Sequence, residues 1–174
     1  KEILGPLEEE KIPLLLDADG LKAFAESKRR MKMPLVLTPH AGEYQILTGK
    51  ELPTDLKERA GEVQKAAAEL GAVVLLKGHV DLISDGKQTK LNFTGNPGMT
   101  VGGTGDVLSG IVGTFLAQGA DPFEAAVAGA FINGAAGDFV KSERGFHMVS
   151  TDLLDWIPRV MDSPMSHLKV RNIT

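Results

Sequence analysis

Three short runs of uninterrupted apolar residues, each closing on a polar one, set the frame of this chain. They are Ile12-Pro-Leu-Leu-Leu-Asp17, Pro34-Leu-Val-Leu-Thr38 and Ala72-Val-Val-Leu-Leu-Lys77. A run of this kind fits a strand buried on both faces, as parallel sheets require. Helical patterns separate the runs. One spans about Gly20 to Arg30, with Asp19 as its expected cap. A second follows His40 through Leu47 to Gly49. The clearest lies between Asp55 and Leu70, with Leu56, Val63, Ala67 and Leu70 inward and Lys57, Glu58, Glu62 and Lys65 outward, and Gly71 terminates it. Strands alternating with helices predict an α/β fold with a largely parallel sheet flanked by helices. Val80–Ser84 and Gln88–Phe93, with Asp85-Gly86 between them, add a β-hairpin.

The second half is organised around Asn96-Pro-Gly-Met-Thr-Val-Gly-Gly-Thr-Gly-Asp-Val-Leu-Ser-Gly110, a glycine-rich loop running into a helix. Gly102, Gly103 and Gly105 allow positive φ and close approach by a ligand. Val107, Leu108, Ile111, Val112, Phe115 and Leu116 then repeat near every 3.6 residues, and Gly119 ends the helix. Gly110 and Gly113 are expected to admit a neighbouring backbone. The first amides of a helix lack internal partners and carry the positive end of its dipole, so loop and helix start form an anion hole suited to a phosphate. No Gly-Lys-Ser/Thr follows, so this is not a Walker A loop, and no dinucleotide fingerprint surrounds it. Asp106 has two readings. It takes a proton from a hydroxyl while the amides stabilise a transferring phosphoryl group, or it complements the helix dipole. Spacing alone leaves both open.

Polar residues gather at the strand exits, where open α/β sheets bind ligands. These are Asp17, His40 with Glu43, Lys77 and the loop Asn96–Asp106. The pair Asp17 and Asp19 reads as capping and turn-making. A lone histidine is more often structural, and Glu43 reads equally as a first-turn acid.

The remaining elements are helical. Asp121-Pro122 starts a helix to about Val140, so rich in Ala and Gly that tight packing on several sides is expected, with Asn133 and Asp138 as polar exceptions. Thr151-Asp152 is expected to cap a helix carrying Leu153, Leu154, Trp156 and Ile157, closed by Pro158. Residues 1–162 read as one domain and 163–174 as a tail without periodicity. Ile3, Leu4 and Leu7 look like the end of an amphipathic helix, so the chain is expected to begin in mid-fold.

Composition narrows the function classes. A net charge of −4 argues against a broad nucleic-acid surface. No apolar run reaches membrane-spanning length. The absence of cysteine excludes disulfides, thiolate metal sites and a cysteine nucleophile. A cytoplasmic location is the expectation.

Four segments then occur in a telling order: Leu16-Asp-Ala-Asp-Gly-Leu21, Leu37-Thr-Pro-His-Ala-Gly-Glu43, Leu76-Lys-Gly78 with Ile83, and Asn96 to Gly110. Over residues 12–158 they resemble the ADP/ATP-dependent NAD(P)H-hydrate dehydratase family of the ribokinase-like superfamily. The resemblance implies a lyase that repairs hydrated NADH and NADPH by phosphorylating the ring hydroxyl and eliminating phosphate. Carried over by position, His40 and Asp106 contact the hydrated dinucleotide, with Asp106 as base. Lys77, Gly78, His79, Val80 and Asp81 line the ADP or ATP together with Gly105, and its phosphates sit on the amides of Gly102, Gly103, Thr104 and Gly105. Glu43 matches an acid that orients Mg²⁺ through water, the ion being held mainly by phosphate oxygens. A homo-oligomer is expected.

Three departures stand against that pattern. Ala41 replaces a usual proline. Asn133 lies where histidine is frequent and receives no role. The family fold carries a further N-terminal portion of on the order of a hundred residues, so residues 1–162 are expected to be the C-terminal portion of one ribokinase-like dehydratase domain. The competing readings are a vitamin-precursor or sugar kinase of the same superfamily and a non-catalytic nucleotide-binding subunit.

Overall fold

The expected apolar runs do pair into one sheet. In the computed structural model, which describes residues 4–27 and 30–169, β1 (Leu14–Leu16), β2 (Leu35–Leu37), β3 (Val73–Leu76), β4 (Asp81–Ser84) and β5 (Thr89–Asn92) lie side by side in chain order. The first three are parallel, with Leu15 opposite Val36 and Val36 opposite Val73. The last two form the antiparallel hairpin, with Leu75 opposite Ile83 and Leu82 opposite Leu91.

Period-two alternation sends successive side chains to opposite faces. The first four helices are α1 (Leu4–Glu9), α2 (Asp19–Ser27), α3 (Ala41–Thr48) and α4 (Leu56–Leu70). Val36, Leu75 and Ile83 pack on Leu108, Val112, Phe123 and Ala126 from α5 (Thr104–Ala117) and α6 (Pro122–Arg144). Leu35 and Leu37 face Leu21 and Phe24 of the helix Asp19–Ser27. Val74, Leu76 and Leu82 face Tyr44, Val63 and Ala67 of the helices Ala41–Thr48 and Leu56–Leu70. The result is a three-layer α/β/α arrangement in which β2, β3 and most of β4 are buried at the centre and β1 and β5 lie at the less buried edges. Each such Val, Leu or Ile contributes about 1.5–3 kcal/mol.

The helix ends follow their local signals. The Asp55 carboxylate accepts from the Glu58 amide, and Gly71 closes the same helix in the left-handed region. Asp121 accepts from the amides of Phe123 and Glu124, with Pro122 in the first turn.

Several expectations are corrected. β1 is an edge strand among the described residues, and its three leucines are half-buried rather than buried on both faces. An apolar run records burial on a face but not the number of neighbouring strands. Asp19 does not cap its helix. It is the first helical residue and pairs with Lys22 Nζ at 2.8 Å. A Cβ at Gly110 or Gly113 would meet nothing within 4 Å, so neither glycine admits a neighbour. The close approaches are on α6, where a Cβ at Gly129, Gly134 or Gly137 would collide with Val112, Thr94 or Met99. Helix α6 also continues past Val140 to Arg144.

After a 3-10 turn at Ser150–Leu153, Pro158 opens rather than closes a helix, Ile157–Asp162, because a first-turn proline needs no amide proton. Trp156 stacks on Phe139 with centroids 4.4 Å apart. A further 3-10 turn, Pro164–Lys169, brings the buried His167 ring edge-on to Phe131 at 4.9 Å. Ile3, residues 28–29 of the helix expected to reach Arg30, and residues 170–174 of the tail lie outside the described residues.

Candidate active site at the strand exits

The carboxyl ends of β1, β2 and β3 are tied to one another before any side chain acts. The Thr38 amide donates to Leu16 O at 3.1 Å, and the Lys77 amide to Pro39 O at 2.8 Å. These backbone bonds set Asp17 and Lys77 at one level. Lys77 Nζ donates to Asp17 Oδ1 at 2.7 Å and lies 3.9 Å from Glu43 Oε2. Ser109 Oγ, reaching from α5, donates to Asp17 Oδ2 at 3.3 Å. Side-chain exposure is 23% for Lys77 and 18% for Asp17, so the pair is screened less than a surface salt bridge. Directly after Asp17 the chain turns through Ala18 at φ 48°. A non-glycine residue there costs on the order of 1–3 kcal/mol, and such strain clusters at functional sites.

His40 and Glu43 form a reciprocal cap. His40 Nδ1 accepts from the amides of Gly42 at 3.0 Å and Glu43 at 3.3 Å, which leaves the ring proton on Nε2. Glu43 Oε2 accepts from the His40 amide at 2.8 Å, and Oε1 lies 3.5 Å from His40 Nε2. Glu43 is buried while the His40 side chain is 60% exposed.

The glycine loop is held from behind. The buried Asp138 carboxylate accepts from the Gly95 amide and from Asn96 Nδ2, each at 3.1 Å. Asn96 Oδ1 caps the 3-10 turn Pro97–Met99 through the Gly98 amide. Thr104 Oγ1 lies 2.9 Å from Met99 O and 3.1 Å from Val101 O, so its hydroxyl pins loop to helix. Of Gly102, Gly103 and Gly105, only Gly103 uses positive φ, at 94°.

Between loop, α6 and the β3–β4 turn lies a cavity of about 390 Å³. Lys77, Gly78, His79, Asp81, Thr104 and Gly105 line it. Val80, Gly102 and Gly103 flank these residues in the chain without lining it. His40, Glu43 and Asp106 do not line it either. Glu43 connects to it through Lys77. Asp106 is exposed in the first turn of α5, one residue past Gly105, and its side chain hydrogen-bonds to nothing among the described residues. Asp81 shapes the turn, since Oδ1 accepts from the Gly78 amide and Oδ2 from Asn92 Nδ2, both at 3.0 Å. Burial pushes the Asp81 carboxyl above its usual range, against the opposing pull of Asn92, the Gly78 amide and the Lys77 charge.

Asn133 lines the cavity, and Ser109 and Asn92 hold residues of the site, although the sequence reading assigned none of these three a role in it; Asp17 was placed at a strand exit but read as a capping and turn-making residue. For Asp17 the signal was present: it follows a strand as Lys77 does. Among the described residues no group of three or more His, Cys, Asp or Glu side chains could hold a metal ion. Glu43, the acid expected to orient a cation, has one oxygen committed to the cap.

Residues 1–159 match the family model described as NAD(P)H-hydrate dehydratase. The chain belongs to the NAD(P)H-hydrate dehydratase family. It is 51% identical, over 85% of its length, to the bifunctional NAD(P)H-hydrate repair enzyme of Pyrobaculum aerophilum, and spans 29% of that relative. Among solved structures it resembles the Bacillus subtilis ADP/ATP-dependent NAD(P)H-hydrate dehydratase co-crystallised with ATP/Mg²⁺, with TM-score 0.77 and 33% identity over 86% of this chain and 54% of that one. A ribokinase-like superfamily protein of Enterococcus faecalis superposes with TM-score 0.75 and 30% identity over 92% of this chain and 57% of that one. The fold of this dehydratase-family chain is therefore ribokinase-like. Among the described residues no helix is long and apolar enough to cross a membrane.

Proposed function

We propose that the protein dehydrates hydrated NADH and NADPH, with ADP or ATP as phosphoryl donor. The observation that carries this reading is one adjacency: Gly105, whose Cβ position lies 3.6 Å from Lys77 Nζ, directly precedes the exposed Asp106. Lys77 and the amides of Gly102, Gly103, Thr104 and Gly105 hold the phosphates. Gly78, His79, Val80 and Asp81 line the rest of the nucleotide. His40 and Asp106 face the hydrated dinucleotide. Glu43 would orient Mg²⁺ through water, and the ion would supply neutralisation of the phosphate charge when bound.

The hydroxyl oxygen of the damaged nicotinamide ring attacks the terminal phosphorus, and the bond to the bridging oxygen breaks. Asp106 takes the hydroxyl proton. The ring then expels phosphate with the C–O electron pair, pushed by the ring nitrogen. The neighbouring ring carbon loses a proton and the double bond is restored. Phosphorylation serves because hydroxide is a poor leaving group and phosphate a good one.

The proposal takes residues 1–162 as the C-terminal portion of one dehydratase domain and 163–174 as its tail, in a cytoplasmic homo-oligomer. Coverage of 54% of the Bacillus subtilis chain supports the first part.

The test is turnover of hydrated NADH by the complete protein, with and without ADP or ATP, read as returning dihydronicotinamide absorbance. Nucleotide is expected to be required and to raise the melting temperature. Gly105→Val is expected to abolish that shift, because its branches fill the gap beside Asp17 and Lys77. Phosphorylation of a pyrimidine or thiazole alcohol without dehydration would replace this reading with the kinase one. Nucleotide binding with neither activity would leave a binding subunit.

A further inference from the structure

One wall of the cavity carries a polar atom that the proposed function does not use. Asn133, on α6, lines the cavity and is 8% exposed. Its Oδ1 has no hydrogen-bond partner among the described residues. Buried polar atoms in folded proteins are nearly always paired, and an unpaired one carries the full cost of its lost hydration.

The neighbouring polar groups of Thr94 and Gly95 are engaged elsewhere. Gly134, the next residue, is pressed against the Thr94 backbone: a Cβ there would lie 2.7 Å from Thr94 C and 2.8 Å from Thr94 O. The Thr94 hydroxyl is engaged by Asn92 Oδ1 at 2.8 Å and by Phe131 O at 3.2 Å. The Gly95 amide is taken by Asp138. The donors nearest to Asn133 in this part of the wall, the Thr94 hydroxyl and the Gly95 amide, are thus already engaged within the protein.

Lys77 and Gly105 supply the cavity with cationic and amide groups, which suit phosphate. Asn133, Thr94 and Gly134 form another part of its wall, and Leu108 and Met99 add apolar surface. A nucleobase has apolar faces and a polar edge, and the donor on the adenine edge is its exocyclic amine. We infer that Asn133 is a specificity residue for the nucleotide base, its Oδ1 accepting from the N6 amine of adenine. This rests on the nucleotide reading above.

The experiment measures affinity by calorimetry for ADP, purine riboside 5′-diphosphate, which lacks the amine, and 2′-deoxy-ADP. It compares the complete wild-type protein with Asn133→Ala. Wild type is expected to bind ADP about tenfold tighter than the purine analogue, the worth of one neutral hydrogen bond. In Asn133→Ala that ratio is expected to fall to about one, with affinity for the analogue unchanged. Asn133→Asp keeps an acceptor and is expected to keep the preference, which also serves if the alanine variant does not fold. An unchanged ratio in Asn133→Ala overturns the inference alone. So does a loss that tracks 2′-deoxy-ADP, which would put the ribose at Asn133. Wild type that fails to bind ADP overturns the nucleotide reading together with the inference.

Discussion

Asp17 Oδ1 receives a hydrogen bond from Lys77 Nζ at 2.7 Å, across 60 positions of sequence. The two residues follow β1 and β3, separated in the sheet by β2. Ser109 of α5 completes the contact from the helix side. One carboxylate thus sets where the cavity's ammonium sits relative to the start of α5.

Asp17→Asn keeps the shape and removes the charge, so Lys77 turns toward Glu43. A misplaced group beside a reacting phosphate is expected to lower turnover about 10- to 100-fold. The cost in unfolding free energy is expected at about 1–2 kcal/mol, between the values for exposed and buried pairs. Steady-state rates and urea unfolding of the variant measure both. Turnover within twofold of wild type would remove Asp17 from the site.

Asp106→Asn separates chemistry from binding. Loss of a general base is expected to cost about 10²- to 10⁴-fold in turnover. ADP affinity is expected to change little, or to rise with one negative charge fewer near the phosphates. Because the Asp106 side chain makes no hydrogen bond among the described residues, the melting temperature of the variant is expected to stay near wild type. Near-normal turnover would reduce Asp106 to a partner of the helix dipole.

Two glycine substitutions test opposite packing environments. Gly134→Ala drives a methyl into Thr94 and is expected to cost about 1–3 kcal/mol. Gly110→Ala meets nothing within 4 Å and is expected to stabilise by about 0.5–1 kcal/mol, as alanine does in a helix interior. Chemical denaturation of the pair gives both signs, and equal effects would contradict the packing of α6.

Asp81 makes stability depend on pH. Its folded carboxyl titrates above the ordinary value of 3.8, chiefly through burial. A raised folded value contributes stability that is fully present below 3.8 and is lost as pH rises through the folded value. Wild type is therefore expected to lose stability relative to Asp81→Asn as pH rises through that window. Urea unfolding of both proteins over the acid range measures the difference. A flat difference would mean that Asp81 titrates alike folded and unfolded.

The elements whose signals are local were legible in the chain. The period of Leu56, Val63, Ala67 and Leu70, the caps Asp55 and Gly71, and the hairpin around Asp85-Gly86 depend on neighbours a few residues away. So did the strand exits, which gathered Lys77, Gly78, Asp81, Thr104 and Gly105 toward one cavity. Tertiary structure alone decided the partners. Three leucines at β1 state apolarity, but only strand order makes them half-buried at an edge. Asp17 has the composition of a turn residue until β1, β2 and β3 align and bring Lys77 to it. Gly110 and Gly134 look alike in sequence, and only the packing of α6 against Thr94 leaves one in the open and the other crowded. Asn133 differs from an ordinary helix asparagine only because its neighbours have spent their hydrogen bonds elsewhere. Periodicity and capping are short-range properties of a chain, whereas contact across a sheet depends on which distant segments the fold makes adjacent.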